Sequence, residues 1–564
     1  MKRLSQKIYH LSLGSVQFIV LFLTVLLFGS NFLFTCYAEN METQAVCTGW
    51  DNLLLNLLGG FFLCIFLVFV ASFVAKRGVK CKKLLLLVTL GWILALGAIL
   101  ILFGKTVPAA DAMSVYGAAD SLAKGDTSVI HPTDSYLSYY PQQVGLMAFL
   151  EILIRIWNLL GINVPAYHFI KGIYVLLLCV AVLYQYKSVH LLWENDTTDC
   201  LYLLLAGSNL PMIMYSSFVY GEIPSFTAFS VGLYFLLLFI KNPSLLFPGS
   251  FSLLFLTLSV MLRKNSLILI IAVCLVLLLE WVRSHRHSLV LLATLCAMAA
   301  LLILPCVQKG YEIRSGSYLR SGVPAMSYVA MGMQESSRGQ GWYNGYNINT
   351  YQACSMDTAL TNDLSRQSIR DSLSHFREDP GYAIYFYAKK FLSQWTDGTY
   401  ASRQATLATF GGRRELFQRI YEGDLSSFYI QYCNLYQNVI YLGVLLFCVA
   451  PYRRKRNRFR HTQKESIGNF IQDETTSNLT GLPLYIGFIG VIGGFLFHMI
   501  WEANSRYIFI YGLLLLPYAA WGLNLLSNTF SLGKFPRNSK YRRPHATDTP
   551  ATEAQAEQAS SLEP

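Results

Sequence analysis

Charge is scarce in this sequence. Asp, Glu, Lys and Arg make up 13% of its 564 residues, about half the share of a soluble domain, which excludes a chain wetted over its whole surface. Nucleotide-handling and hydrolytic signatures are missing as well: there is no P-loop, no His-Glu-x-x-His and no triad pattern. Gly339-Gln-Gly-Trp342 has no strand before it, so it is not a dinucleotide fingerprint. Transport driven by ATP on this chain alone is therefore disfavoured. The 12 cysteines show no metal-ligand spacing; Cys64, Cys179, Cys274, Cys296 and Cys448 lie inside apolar runs and read as small core residues. The net charge of +12 would suit nucleic acid. However, the basic residues crowd beside apolar runs, where topology and anionic lipid account for them, and no nucleic-acid partner is expected.

What the chain has in abundance is apolar length. Hydrophobic residues make up 54% of it. Thirteen runs sit near 15–35, 52–75, 84–104, 141–160, 167–187, 199–218, 223–241, 248–262, 265–283, 288–307, 431–451, 482–501 and 507–527. About 20 apolar residues in a helix cross a ~30 Å hydrocarbon core, and unpaired backbone cannot sit in lipid, so the runs read as helices. Tyr37-Ala38 imitates a signal-peptidase site after the first run. That run is longer than a usual signal core, so it reads as an uncleaved first span.

Charge decides which runs cross. Lys76, Arg77, Lys80, Lys82 and Lys83 follow the second run; Arg453, Arg454, Lys455, Arg456, Arg458, Arg460 and Lys464 follow 431–451; Lys534, Arg537, Lys540, Arg542 and Arg543 follow the last. Short basic connections stay in the cytoplasm. The stretch 36–51 has no Lys or Arg but carries Glu39, Glu42 and Asp51, so it lies outside. Between 84–104, travelling outward, and 431–451, travelling inward, an even number of spans is needed, yet seven runs are available. The run 141–160 carries Glu151 and Arg155, which are costly at a bilayer centre, so it reads as an interfacial helix. The rival solution makes 248–283 a single overlong span with Arg263-Lys264 at its middle.

The expected architecture is all-α and polytopic, with about twelve transmembrane helices and both termini cytoplasmic. Residues 1–83 form an N-terminal pair of spans and 84–307 a core whose first outer loop, 105–166, holds interfacial helices. Residues 308–430 form an extracytoplasmic helical subdomain, 431–527 the last spans with a basic cytoplasmic loop at 452–481, and 528–564 a disordered tail. The expected location is a bacterial plasma membrane.

Polar groups gather at the outer ends of the spans. Asp111 opens a short stretch closed by Gly125 and reads equally as a helix N-cap or as a catalytic carboxylate. Tyr136-Leu-Ser-Tyr139-Tyr140-Pro141-Gln142-Gln143 is either an aromatic belt with a proline helix start, or a set of side chains reaching ligand hydroxyls. Glu222, in the turn Val219–Pro224, reads first as solvated. Arg263-Lys264-Asn265 breaks two half-length runs and is either snorkelling to headgroups or a phosphate clamp. Trp501-Glu502-Ala-Asn504-Ser-Arg506-Tyr507 supplies a carboxylate and a cation that can pair with each other. Lys389, Lys390 and Trp395 read as a helix dipping to the interface. Carboxylates, cations and aromatics on one face suit a ligand with a lipid tail, a phosphate and a polar head.

These features, in order over 84–527, resemble the GT-C superfamily of integral-membrane glycosyltransferases, which includes the protein O-mannosyltransferases and the lipid A aminoarabinose transferases. In particular the sequence resembles bacterial members related to the family 39 enzymes. The resemblance rests on Asp111, Tyr139-Tyr140-Pro141-Gln142-Gln143, Val219-Tyr-Gly-Glu222-Ile-Pro, Leu262-Arg263-Lys264-Asn265, Gly341-Trp342-Tyr343-Asn344-Gly345 and Asn504-Ser-Arg506-Tyr507. The first two spans are an addition to the commoner pattern, and its usual His-Pro-Pro is Tyr140-Pro141-Gln142 here. The resemblance implies a polyprenyl-phosphate sugar donor, an extracytoplasmic acceptor (envelope glycan, lipid or protein) and inversion at the sugar. It makes Asp111 the base, with Glu222 orienting the acceptor or, together with Asp111, holding a divalent metal. Some members need such a metal and others do not. Arg263, Lys264 and Arg506 would face the leaving phosphate, with Tyr140, Gln142, Gln143, Asn265 and Tyr507 as further substrate contacts. A polysaccharide polymerase or ligase and a lipid-linked sugar transporter without chemistry are the alternatives.

Overall fold

A computed structural model describes residues 2–38, 45–133, 135–462, 479 and 481–531. Residues 463–478 and 480 of the basic connection and the tail after 531 lie outside the described residues, as do Lys464, the basic residues from Lys534 onward and the disorder expected there.

Helix α1 (Lys2–Leu33) passes through a hairpin of β1 (Phe34–Ala38) and β2 (Val46–Trp50) into α2 (Leu53–Lys76). Then comes α3 (Val79–Ile99), extended by a π-helical turn over Leu100–Gly104. Three short helices follow: α4 (Ala110–Ala123), α5 (Tyr136–Tyr139) and α6 (Val144–Leu159). The chain continues through α7 (Ala166–Trp193), α8 (Asp196–Ser208), α9 (Leu210–Met214), α10 (Glu222–Lys241), α11 (Leu246–Leu262), α12 (Leu267–Ser284) and α13 (His287–Ser315). A helical subdomain comes next: α14 (Ala325–Gly332), a small hairpin of β3 (Glu335–Ser336) and β4 (Gly339–Gln340), α15 (Tyr346–Ala353), α16 (Thr358–Glu378), α17 (Pro380–Trp395), α18 (Ser402–Ala405) and α19 (Glu415–Tyr421). The last helices are α20 (Leu425–Thr462), α21 (Ile486–Ile500) and α22 (Ser505–Ser531).

Among the described residues, ten helices are long and apolar enough to cross a membrane: α1, α2, α3, α7, α10, α12, α13, α20, α21 and α22. The protein is therefore an all-helical, polytopic, membrane-embedded chain. Helices α10 and α22 are its centre, each 83% buried over its apolar window, whereas α1 to α3 turn most of theirs outward. Phe61, Phe62, Phe66 and Phe69 on α2 are exposed, as expected where the solvent is lipid.

One of the expected runs takes another form. The run 199–218 is not one helix: α8 stops at Asn209, whose side chain caps Met212 N at 3.0 Å, and Pro211 opens α9. Asparagine competes with the helix for backbone donors and proline lacks one, so the break is local in origin. Helix α11, with 17 residues, ends at Leu262 as the run 248–262 does, and the expected break follows at the extended Arg263. The run 141–160 forms the 16-residue α6 and is not among the ten. Its Glu151 is buried, yet fully bonded within the protein.

The hairpin β1–β2 was not expected from the sequence. Phe34 pairs with Trp50 and Cys36 with Thr48. Cys36 N bonds Thr396 O at 3.2 Å and Val46 N bonds Arg338 O at 2.9 Å, which ties the N-terminal pair of helices to the 316–424 subdomain. A second correction concerns α17. Lys390 is fully buried and donates to Gly332 O at 2.5 Å and Trp501 O at 2.8 Å. Trp395 packs inside against Phe495 and Tyr511. Neither snorkels to an interface: this helix is a central post of the subdomain. Helix α13 also overruns its expected end at 307, because Tyr311 and Arg314 find a partner in Glu151.

Candidate functional site

A cavity of about 1050 Å³ lies where α11 gives way to α12 and where α4, α10 and α22 begin. Asp111, Tyr140, Gln142, Gln143, Arg263, Lys264, Asn265, Arg506 and Tyr507 all line it. Residues from four separate segments of sequence thus meet in one space. Glu222 sits directly behind the wall.

Asp111 is placed by the segment before α4. Val107 N bonds Ala408 O at 2.9 Å, and Lys171 Nζ donates to Thr106 O at 2.8 Å. Ala110 then takes φ +47°, a left-handed value that costs a non-glycine residue about 1 kcal/mol or more. This kink starts α4, with Ala109 rather than Asp111 at the capping position. The capping role read for Asp111 is therefore not the one it has. Its carboxylate lies half-buried in the first turn, near the positive end of the helix. It makes no hydrogen bond or ion pair to any described residue.

The cations are fixed by Glu222. This carboxylate is 1% exposed and ion-paired to Arg263, with Arg506 Nε at 3.7 Å. Glu222 is thus neither solvated in its turn nor open to a substrate; it holds two guanidinium groups in place. Unlike the other expected site residues, it is not part of the cavity lining. Arg506 also lies over the rings of Phe218, Tyr220 and Tyr507, at 5.7, 5.5 and 5.5 Å. Close backbone approach brings the 263 break to this place. A Cβ on Gly221 would meet Leu262 O at 2.6 Å, and one on Gly145 would meet Met261 O at 2.0 Å. Lys264, in the same break, is exposed to the cavity and forms no ion pair with a described residue.

Since Arg506 turns to Glu222, the pairing expected between Glu502 and Arg506 does not form. Glu502 is 7% exposed and faces the cavity. Burial pushes its carboxyl up to about 7; the Arg506 charge opposes the shift and Asp111 adds to it. Gln143 Nε2 donates to Tyr220 OH at 2.5 Å, and the Tyr136 and Tyr140 rings lie 4.9 Å apart.

Sequence reasoning passed over three contributors. Arg338, beside the β3–β4 hairpin, lines the cavity and lies over Tyr343. Cys36, Tyr37, Ala38 and Val46 of the N-terminal hairpin form part of the wall. Asp397 accepts from Ser505 Oγ and Thr399 Oγ1 at 2.6 Å each and from Ala401 N at 3.1 Å, which anchors the start of α22. None carries a local signal, because each matters through a distant partner.

Among the described residues, the cluster of histidine and carboxylate groups tight enough to share an ion is His190, Asp196 and Asp199, away from the cavity at the junction of α7 and α8. Lys82 Nζ pairs with both of its aspartates, at 3.1 Å from Asp199, so an ammonium already supplies the positive charge. Asp111 with Glu222 does not offer a metal seat, because Arg263 occupies the glutamate.

No family model matches the chain, and no curated protein matches it. The cavity's chemistry therefore stands on its geometry. Among the described residues it offers the carboxyls of Asp111 and Glu502, neither in an ion pair, the Lys264 ammonium, the guanidinium groups of Arg263 and Arg506, and an apolar side formed by Leu262, Leu267, Ile268, Ile271 and Phe497.

Proposed function

We propose that this protein is a membrane glycosyltransferase of the GT-C kind, moving a sugar with inversion from a polyprenyl-phosphate donor to an extracytoplasmic acceptor. The observation that carries the reading is the unpaired Asp111 carboxylate sharing one cavity with Lys264, Arg263 and Arg506. An acceptor hydroxyl is a weak nucleophile. Asp111 takes its proton as the new oxygen–carbon bond forms at the sugar's anomeric carbon. The bond from that carbon to the phosphate oxygen breaks, and the charge gathering on the lipid phosphate falls to the cations. Arginine suits this by its forked donors and lysine by its point charge. Ile271 on α12 is 53% exposed while also lining the cavity, so the apolar wall continues toward lipid, as a prenyl tail requires.

The same reading takes α8–α9 and α11 as two further crossings beside the ten long helices, with both termini cytoplasmic and the cavity on the outer face of a bacterial plasma membrane. Their lengths support it: Asp196–Ser217 and Leu246–Leu262 each approach the ~20 residues a span needs. A polymerase or ligase reading draws on one specific observation, the loop cation Arg338 on the cavity wall. A transporter with its site at the bilayer midplane fits less well, because the polar groups stand at helix ends.

The test is transfer of radiolabelled sugar from a polyprenyl phosphate in membranes carrying the full chain. Asp111→Asn should lower the rate about 100-fold to 10,000-fold, the range for losing a general base. Transfer by this variant at the wild-type rate would remove Asp111 from the chemistry.

A further inference from the structure

Glu502 is a carboxyl that the proposed reaction does not use. It stands in the turn between α21 and α22, 7% exposed, with its side chain on the cavity wall. It forms no ion pair with any described residue. Asp111 of α4, Arg338 beside β4, Arg506 of α22 and Lys390 of α17 all act on it electrostatically, and the Tyr507 hydroxyl of α22 donates a hydrogen bond to it that opposes the effect of burial. Tyr140, Tyr328 and Tyr343 surround it as well.

We infer that Glu502 is a ligand-binding group that takes up a proton when a phosphate-bearing ligand enters the cavity, and then donates a hydrogen bond to that ligand. The inference rests on the proposed function only so far as the ligand is a lipid phosphate ester. The physical argument is one of charge. An ionised Glu502 would place a second carboxylate opposite Asp111 and repel a phosphate brought in by Lys264 and the arginines. A neutral Glu502 is a donor to a phosphate oxygen. The switch is within easy reach, because burial already pushes this carboxyl up to about 7. An incoming anion pushes it further. Asp111 stands apart from it, half-buried in the first turn of α4. A protonated Glu502 is then a hydrogen-bond donor on the same cavity wall as Asp111, so the two carboxyls meet the ligand in different ways.

The probe is farnesyl methyl phosphate, a phosphodiester without a titrating proton of its own near neutral pH. Its binding to detergent-solubilised full-length protein is followed by calorimetry between pH 6 and 9 in buffers of different ionisation enthalpy. Wild-type protein should take up close to one proton per ligand above pH ~7, and Kd should rise toward tenfold per pH unit there. Glu502→Gln, uncharged throughout, should lose both the proton uptake and the slope. If wild-type protein binds the probe with a flat pH profile and no proton uptake, the role of Glu502 is overturned while the glycosyltransferase reading stands. If the probe binds at no pH, the lipid-phosphate reading of the cavity falls, and the inference with it. Should Glu502→Gln fail to assemble, infrared difference spectra of the wild-type protein decide: ligand binding must bring up a protonated-carboxyl C=O band, which protonation of the neighbouring Lys390 amine does not give, and its absence overturns the role of Glu502.

Discussion

Glu151 ties the helix that carries Asp111 to the rest of the protein, and its removal should be felt at α4. The carboxylate is 3% exposed. Its Oε1 accepts from Arg155 Nε at 2.8 Å and Arg314 Nη1 at 2.7 Å, and its Oε2 from Tyr311 OH at 2.5 Å. Both arginines then reach past it to Leu122 O, at 2.7 and 3.0 Å. That carbonyl belongs to the last turn of α4, so two cations cap the negative end of the helix whose first turn holds Asp111. The three hydrogen bonds to the charged group would each be worth about 1.5–3 kcal/mol if fully buried. The guanidinium side chains are 46% and 37% exposed, so water compensates much of the loss.

For Glu151→Ala a net weakening of about 2–3 kcal/mol between α4, α6 and α13 follows. Since 1.4 kcal/mol is a factor of ten, amide exchange across 110–123 should accelerate about 30-fold to 150-fold if it proceeds by local opening. Exchange of the intact chain in detergent, followed by mass spectrometry, measures this directly. Lys309→Ala is the control. It removes a pair at 3.3 Å from Glu312 whose lysine is 70% exposed, and such surface pairs contribute little. An unchanged α4 in Glu151→Ala, or an equal effect in the control, would refute the view that this network holds the helix.

Glu222→Ala should destabilise the protein by about 3–5 kcal/mol, because it leaves Arg263 and Arg506 without their counter-charge; a midpoint shift in detergent unfolding no larger than that of Lys309→Ala would contradict it. Ala110→Gly should stabilise α4 by about 1 kcal/mol, because glycine takes φ +47° without strain, and slower exchange over 110–123 would register the gain.

The positions of the helices were legible because lipid imposes a length, and charged residues cannot be hidden in it without partners. That reasoning set aside the run around Glu151, and the structure has it in a 16-residue helix with its charge bonded inside the protein. The break at Arg263-Lys264-Asn265 was legible for the same reason. The β1–β2 hairpin was not: residues 34–50 alternate too weakly to announce strands, and the pairing is completed by backbone groups of Thr396 and Arg338, more than 280 positions away. Lys390 and Trp395 show the limit most clearly. A lysine and a tryptophan on an apolar helix look the same whether the helix meets headgroups or the protein's own carbonyls. Only the arrival of Gly332 O and Trp501 O at the ammonium separates the two cases.

The candidate site follows the same division. Each of its residues stands at the end of a helix or in a break between two, and such ends can be read from apolar length and charge. Which carboxylate pairs with which cation cannot, because pairing is set by where burial is deepest. Glu222, first in its helix, is enclosed on all sides, and a carboxylate there must hold cations close or lose its charge. Arg263 and Arg506 both come to it. Glu502, four residues from Arg506, is left facing open space instead. The sequence neighbour is not the electrostatic partner: Arg263 and Arg506 are drawn to the buried Glu222, while the carboxyls of Asp111 and Glu502 line the cavity. Had Glu502 taken Arg506, the proton uptake proposed for it would have no carboxyl to act on.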